Sequence, residues 1–478
     1  MIFQIELFIP ELYLLTLIGG LFVLTVGPQS WWRFLRYLPL AAGVGIGVAA
    51  LSFQFSGLMF YGAYQVDALS QFFKLAIFLG LAVTCLNAMN QPTLSEEKRP
   101  DYFLFLCLSA LGLMLLSSAV ELVTIFLALE LASYSLYALI PLRSKEPAAA
   151  EAGIKYILFG AVVTALAMYG LSYILGVHHT TYLAELVTKT WSWSETPAAL
   201  IGIALFLGAL FYKLALFPLH FWCPDVYEGA SNETAAFVAT LPKLGAVVVL
   251  VRMSSLLDPS MEVTMLLAVL AAVSMTFGNL SALVQSDLKR LLGYSSVSHA
   301  GYVMLGIVAG TPAGLSAAAF YAVVYLLMNL ACFWVICRLS TDGRNLKLDD
   351  LNGLYQRSPG LALVLAVSAF ALVGLPPTAG FMGKLFLLNS AWMEGYHWLV
   401  IIAVLNSAIA IYYYLNLVRH AYTREAPTDV PAETLAVPNP GLLWGGLLAA
   451  AVLWLGVAPA TLFSFAQLAG ASAGSVFP

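Results

Sequence analysis

Apolar runs of about 20 residues recur along the whole of this chain, and a run of that length with almost no charge is what one helix needs to cross a hydrocarbon layer. Fourteen are read, near residues 7–27, 35–56, 69–90, 101–118, 120–141, 149–176, 198–222, 233–257, 263–285, 290–310, 314–340, 359–393, 397–419 and 441–465. Backbone groups in hydrocarbon must bond within their own segment, so this spacing restricts the chain to an all-α polytopic membrane protein. The longest connections, 177–197, 341–358 and 420–440, are too short for a second folded unit, and residues 1–478 are read as a single integral membrane domain. A composition of 61% hydrophobic and 10% charged residues offers no competing soluble domain.

Orientation follows from the basic residues, because positively charged loops stay on the cytoplasmic side. One alternate set of loops holds Arg33, Arg36, Lys98, Arg99, Arg143, Lys145, Lys289, Arg290, Arg338, Arg344, Lys347, Arg357, Arg419 and Arg424. The opposite set offers Lys189, with Arg252 near a span end. An even number of spans then puts both termini outside, at the periplasmic face of a bacterial inner membrane. The segment up to Pro28 carries Glu6 and Glu11 and no basic leader, so it is read as a retained helix and not a signal peptide.

Lys213, Lys243 and Lys384 lie deep inside apolar runs, together with one deep carboxylate, Glu130. A charge at the membrane centre costs roughly 2.5–3.5 kcal/mol even on lenient insertion scales, so several in one chain imply proton movement or a static ion pair. Ser133, Tyr134 and Tyr137 follow Glu130 at offsets that share its helical face. Glu130 is expected to face Lys213, and making or breaking that pair would change how tightly each holds its proton. Lys243 would receive the proton and Lys384 would pass it on. His299 is a possible relay between the halves, and His220 is a second, weighed against a packing role.

Two places interrupt the helical pattern, each beside a buried lysine. The first contains Pro218, His220 and Pro224 after Lys213; the second contains Gly374, Pro376, Pro377 and Gly380 before Lys384. Prolines remove backbone donors, so each segment is predicted to be a broken helix with free carbonyls at membrane depth. The breaks fall in the seventh and twelfth spans, and an offset of five inserts the second unit upside down. Two inverted five-helix repeats are therefore expected, 101–257 and 263–419, flanked by 1–90 and 441–465.

Other charged and aromatic groups receive ordinary readings. Lys74 and Lys155 are expected to snorkel, Glu121 to start a helix, and Asp67, Asp225 and Glu228 to be interfacial loop carboxylates. Tyr412, Tyr413 and Tyr414 fit an aromatic belt. The cysteines, Cys85, Cys107, Cys223, Cys332 and Cys337, have no metal-binding spacing and read as apolar filler. Neither a phosphate loop nor a nucleic-acid surface is visible, and no metal or cofactor is expected on this chain.

At Phe217–Gly229, Asp287–His299 and Gly374–Lys384 the chain resembles the antiporter-like membrane subunits of respiratory complex I, the NADH-quinone oxidoreductase. The resemblance runs over nearly the whole length. It implies a core of about fourteen helices with two inverted repeats, and it matches Glu130, Lys213, Lys243 and Lys384 to the family's proton-path residues. Among the branches the chain looks most like subunit N: subunit L carries a long lateral helix for which nothing remains after about residue 465, and subunit M usually has a glutamate where Lys384 stands. It departs from the family after Gly229, where a proline-containing stretch is replaced by Ala230-Ser231-Asn232-Glu233-Thr234. Flavin, iron-sulfur clusters and quinone are implied on partner subunits, with other membrane subunits and lipid as neighbours.

The mechanism so implied is indirect: quinone reduction elsewhere changes the charge at one edge, and the change travels through the buried groups. Two charges about 10 Å apart couple by about 1.7 kcal/mol at an effective dielectric near 20, more than a tenfold change in proton binding. The alternatives are a subunit of a multisubunit sodium(potassium)/proton antiporter, a subunit of a membrane-bound hydrogenase, and a non-transporting scaffold.

Overall fold

The computed structural model describes residues 5–89, 91–143, 146–256, 262–424 and 439–473; Lys145 and most of the 420–440 connection lie outside them. The helices are α1 (Ile9–Val26), α2 (Leu38–Leu51), α3 (Ala68–Ala88), α4 (Arg99–Ser118), α5 (Leu122–Leu139), α6 (Pro147–His178), the short α7 (Leu183–Leu186), α8 (Pro197–Leu214), α9 (Trp222–Gly229) and α10 (Asn232–Met253). After them come α11 (Glu262–Ala282), α12 (Leu288–Ala309), α13 (Pro312–Leu339), the short α14 (Leu354–Arg357), α15 (Pro359–Val373), α16 (Ala379–Met393), α17 (His397–Thr423), α18 (Asn439–Val457) and α19 (Ala460–Ala473). Twelve helical stretches are long and apolar enough to cross a membrane, or thirteen with the bent pair α18 and α19 as one span. The expected span at 359–393 is built instead from two half-length helices, α15 and α16.

One addition to the all-α reading is a small antiparallel hairpin, β1 (Gly57–Met59) with β2 (Tyr64–Val66), which pairs Gly57 with Val66 and Met59 with Tyr64. It sits in a connection, where backbone groups can bond across strands without entering hydrocarbon.

Helices α10 and α13 are buried along their membrane windows, whereas about a third or less of the α1, α2 and α6 windows is buried. The core therefore surrounds α10 and α13. Small residues permit the close packing that membrane helices use in place of a hydrophobic driving force.

Both interruptions are present. Helix α8 ends at Ala215, left-handed at φ 61°, and α9 begins only at Trp222. The freed backbone is bonded from outside the helix: Trp222 Nε1 donates to Tyr212 O at 2.8 Å, and Phe217 N donates to Ser274 Oγ of α11 at 3.0 Å. The expected span 198–222 is thus helical only as far as Leu214. The second interruption turns at Gly374, where φ is +88° and glycine alone has no Cβ penalty. Across it, a Cβ on Gly380 would stand 1.8 Å from Ala371 O. Gly380→Ala is accordingly expected to separate α15 from α16 and cost about 1–3 kcal/mol, read as a lower unfolding temperature of the purified assembly; an unchanged value would contradict this packing.

The expected single span at 441–465 is corrected: α18 and α19 meet at a 75° bend. Pro459 opens that bend, since proline has no donor for the preceding turn and disfavours helix at Ala458.

Several ordinary readings are also corrected. Lys74 does not snorkel: it is fully buried, 2.7 Å from Glu11 Oε1, and Tyr64 OH donates to the same oxygen at 2.8 Å. Asp67 does lie in a connection, where it caps α3, but it is buried and holds Arg252 with both oxygens, at 2.9 and 3.0 Å. Tyr412 is exposed, yet Tyr413 and Tyr414 are buried. Two basic residues that signalled orientation are buried as well, Arg143 on the carbonyls of Glu228, Gly229, Ala230 and Gly343, and Lys289 on Ala230 O at 2.6 Å. Burial lowers the proton affinity of Arg143, and burial raises that of Asp287, which caps α12 through Arg290 N. Other readings hold. Lys155 is half-exposed and pairs with Glu151 and Asp225, each at 2.8 Å; Glu121 caps α5 by accepting from Val123 N and Thr124 N; and all five cysteines are buried and free.

Candidate functional site

Helix α5 carries Glu130 to a buried position beside α6, where Thr164 Oγ1 donates to Oε1 at 2.8 Å. Lys213, at the last turn of α8 before the break, donates to Tyr156 OH of α6 at 3.1 Å, with its ammonium over the faces of Tyr156 and Tyr212. The two charges are not in contact. They line a common cavity of about 10 Å³, room for about one water molecule. The expected direct pair is therefore replaced by a gap, because α6 supplies a hydroxyl to each partner separately. Of the residues expected to share the Glu130 face, Tyr137 lines the cavity, Ser133 turns back to Leu129 O and Tyr134 is exposed.

Lys243 lies midway along α10, immediately after Pro242, which has no donor for the preceding turn. Its Nζ donates to Ser296 Oγ of α12 at 2.5 Å and to Ser296 O at 3.3 Å. Ser296 Oγ also bonds Tyr227 OH of α9 and Tyr325 OH of α13. A second cavity of about 10 Å³ is lined by Lys243, His299, Thr240, Tyr325 and Leu214, the neighbour of Lys213. It is again the size of one water.

His299 sits one helical turn beyond Ser296 on the same face of α12. Its Nδ1 is 2.6 Å from Tyr321 OH and its Nε2 3.3 Å from Tyr414 OH. Tyr414 in turn bonds Ser295. The imidazole lies within coulombic reach of both Lys243 and Lys384.

Lys384, in the second turn of α16, reaches back into the second break. Its Nζ donates to Val373 O at 2.8 Å and Leu372 O at 3.3 Å, the carbonyls that α15 leaves unpaired at its C-terminus. The negative end of the α15 dipole adds to that attraction. The ammonium also stands 4.3 Å from the ring centre of Tyr302, whose hydroxyl bonds Ser407 Oγ at 2.8 Å, and Ser407 Oγ is 3.4 Å from Nζ. The broken helix is what lets backbone oxygens solvate a cation at this depth.

Among the described residues, Lys213, Lys243 and Lys384 form no ion pair. Hydroxyls, carbonyls and aromatic faces hold them instead, and each hydroxyl can both give and take a proton. The result is a file of polar groups through the middle of the bundle, with the two water-sized cavities at its gaps. His220 is not part of it. Its ring packs on Phe217 and Phe277, its Nδ1 is buried without a partner, and it lines neither cavity.

Sequence reasoning missed the neutral members of the file, Thr164, Tyr156, Ser296, Tyr321, Tyr325, Tyr414 and Ser407. Three had a signal: Ser296 is three residues before His299, and Tyr321 and Tyr325 are one turn apart on α13. No group of three or more His, Cys, Asp or Glu side chains able to hold a metal occurs among the described residues.

Residues 119–410, which include all four deep charges and His299, match the family described as NADH:quinone oxidoreductase/Mrp antiporter, transmembrane. The chain belongs to this family. Similar relatives of this NADH:quinone oxidoreductase/Mrp antiporter family include NADH-quinone oxidoreductase subunit N 2 of Solidesulfovibrio magneticus, 60% identical over 98% of this chain and 99% of the relative. A chain of respiratory complex I from Thermus thermophilus is 31% identical, with a TM-score of 0.83 over 95% of this chain and 98% of that one. A chain of the Mrp complex from Dietzia sp. DQ12-45-1b superposes at a TM-score of 0.87 over 98% of each chain but is 21% identical, a likeness of fold alone.

Proposed function

We propose that this chain is a subunit N-type, proton-translocating membrane subunit of an NADH:quinone oxidoreductase. Protons pass through Glu130, Lys213, Lys243 and Lys384, driven by quinone reduction on partner subunits that carry the flavin, iron-sulfur clusters and quinone. The observation that carries this reading is the file itself: three buried lysines without an ion pair, held by hydroxyls, carbonyls and aromatic faces, with one-water cavities between Glu130 and Lys213 and beside Lys243 and His299. A scaffold would hold such charges as tight ion pairs, because an isolated buried charge is costly. The high identity to subunit N relatives along almost the whole chain supports the choice of oxidoreductase over antiporter.

In this reading the chain lies in the bacterial inner membrane, its arginine- and lysine-rich loops cytoplasmic and its termini outside, beside other complex I membrane subunits. The segments 101–257 and 263–419 are two inverted repeats. Their support is that each has one broken helix, a left-handed residue at the break, Ala215 or Gly374, and a lysine beside it.

His299 is the relay between Lys243 and Lys384. His299→Phe is expected to lower pumping at least tenfold while the complex assembles, because the ring is kept and the exchangeable nitrogens are lost. Proton uptake by reconstituted vesicles measures it, and wild-type pumping would remove His299 from the path.

The identity is tested by purifying the native assembly in mild detergent, identifying its companions by mass spectrometry and assaying NADH:quinone activity. Flavin and iron-sulfur companions with NADH oxidation are expected. Companions consisting of antiporter-like chains alone, without redox activity, would support the cation/proton antiporter instead.

A further inference from the structure

The inner ends of α3, α10 and α13 meet in a cluster of buried polar groups that the lysine file does not use. Thr93 Oγ1 donates to Glu233 Oε1 at 2.7 Å, Gln91 Nε2 donates to Cys337 O at 3.1 Å, and Arg338 Nη2 donates to Leu86 O at 3.3 Å, which ties the three ends together. Around these bonds many polar atoms have no partner among the described residues: both amide atoms of Asn87 and of Asn232, Gln91 Oε1, Arg338 Nε and Glu233 Oε2. Asn87, Asn232 and Glu233 are wholly buried. Buried polar atoms in native proteins are almost always paired, so a concentration of this kind is where ordered water would be bound.

Glu233 is the only carboxylate in this cluster and, among the described residues, makes no ion pair. Lys289 and Arg143 are near enough to act on it electrostatically, as are the neutral Tyr102 and Cys337. Both cations, however, direct hydrogen bonds to backbone carbonyls of residues 228–230. Their field opposes a metal cation here, and the mobile species that suits a lone carboxylate among water-binding amides is a proton.

From the cluster, polar groups lead toward the file. One turn inward from Tyr325 on α13, Asn329 donates to the backbone Tyr325 O at 3.1 Å and its side chain also acts on the Tyr325 hydroxyl, while its Oδ1 has no partner among the described residues. Tyr325 OH bonds Ser296 Oγ, and Ser296 Oγ accepts from Lys243. On α10 itself Glu233 precedes Lys243 by ten residues, about 15 Å along the axis.

We propose that Glu233 is a proton-loading carboxylate, which takes protons from water at the inner face and delivers them through Asn329, Tyr325 and Ser296 to Lys243. This rests on the proton-transfer reading above. Oε2 accepts one proton from water in the cluster and returns it to water beside Asn329. Each hydroxyl along the way then releases one proton as it receives another, ending at Nζ.

The test compares Glu233→Gln, Glu233→Asp and Lys213→Ala in the whole reconstituted complex, measuring proton pumping against quinone reduction. Glu233→Gln is expected to slow coupled turnover about tenfold, and Glu233→Asp to retain most of it. If Glu233→Gln pumps like wild type while Lys213→Ala stops, this proposal is overturned and the general reading stands. If both pump normally, the general reading fails and takes this one with it. Should Glu233→Gln not assemble, Thr93→Val decides: it keeps the carboxylate but removes its donor, so slowed pumping supports the site and wild-type pumping overturns it.

Discussion

Vesicles containing the Lys213→Ala or Glu130→Ala complex are expected to build no proton gradient on NADH oxidation, although the complex assembles. Loss of a positioned proton carrier costs about 10²–10⁴-fold in rate, and no neighbouring group can substitute at either position. The only titratable side chains lining the shared cavity are Glu130, Lys213 and the tyrosines Tyr137 and Tyr212. A tyrosine at membrane depth is a poor store of charge. Assembly survives because neither charge is the sole partner of the other: Glu130 is bonded to Thr164 and Lys213 to Tyr156. Truncation therefore removes a proton site while the remaining group keeps its hydroxyl partner. Proton uptake and native mass measurement on the same preparation separate the two effects, and a neutral variant that pumps normally would sink the assignment.

The opposite behaviour is expected of Glu11 and Lys74. Here the charges are in contact at 2.7 Å and wholly buried, with Tyr64 OH as a third member. Removing one of them strands the other, so Lys74→Met or Glu11→Gln alone is expected to cost about 3–5 kcal/mol. The double variant should recover most of that loss, because a neutral, well-packed pair of similar volume is often no less stable than a buried ion pair. Thermal unfolding of the four combinations measures the cycle. Additive losses would show that the pair is not the interacting unit.

These two predictions differ for a reason that a one-dimensional reading cannot supply. Lys74 and Lys213 both sit in apolar stretches. One finds a carboxylate from α1, 63 residues away in the chain, and the other bonds a hydroxyl from α6, with its nearest carboxylate across a water-sized gap. Depth is legible from hydropathy, since it depends on distance to the ends of a single run. The identity of the partner depends on which helix packs alongside, and nothing local encodes that.

The same division runs through the fold. The approximate place of most of the spans, the two interruptions beside Lys213 and Lys384, and the burial of Glu130 and Lys243 were determined by the sequence alone. Each follows from a local property: length of apolar run, missing proline donors, or a charge without nearby polar residues. Local signals also existed for the bend at Pro459, but hydropathy runs straight through it, and the span was read as continuous. Tertiary structure alone decided that Glu130 and Lys213 stand apart, that His299 is within electrostatic reach of both Lys243 and Lys384, that His220 packs on aromatic rings, and that Glu233 is wholly buried. Hydrophobic patterning orients a helix only toward or away from lipid; which of its buried groups meet depends on the rotation and depth at which α5, α6, α10, α12 and α13 interlock, and those are set by side-chain packing between segments far apart in the chain.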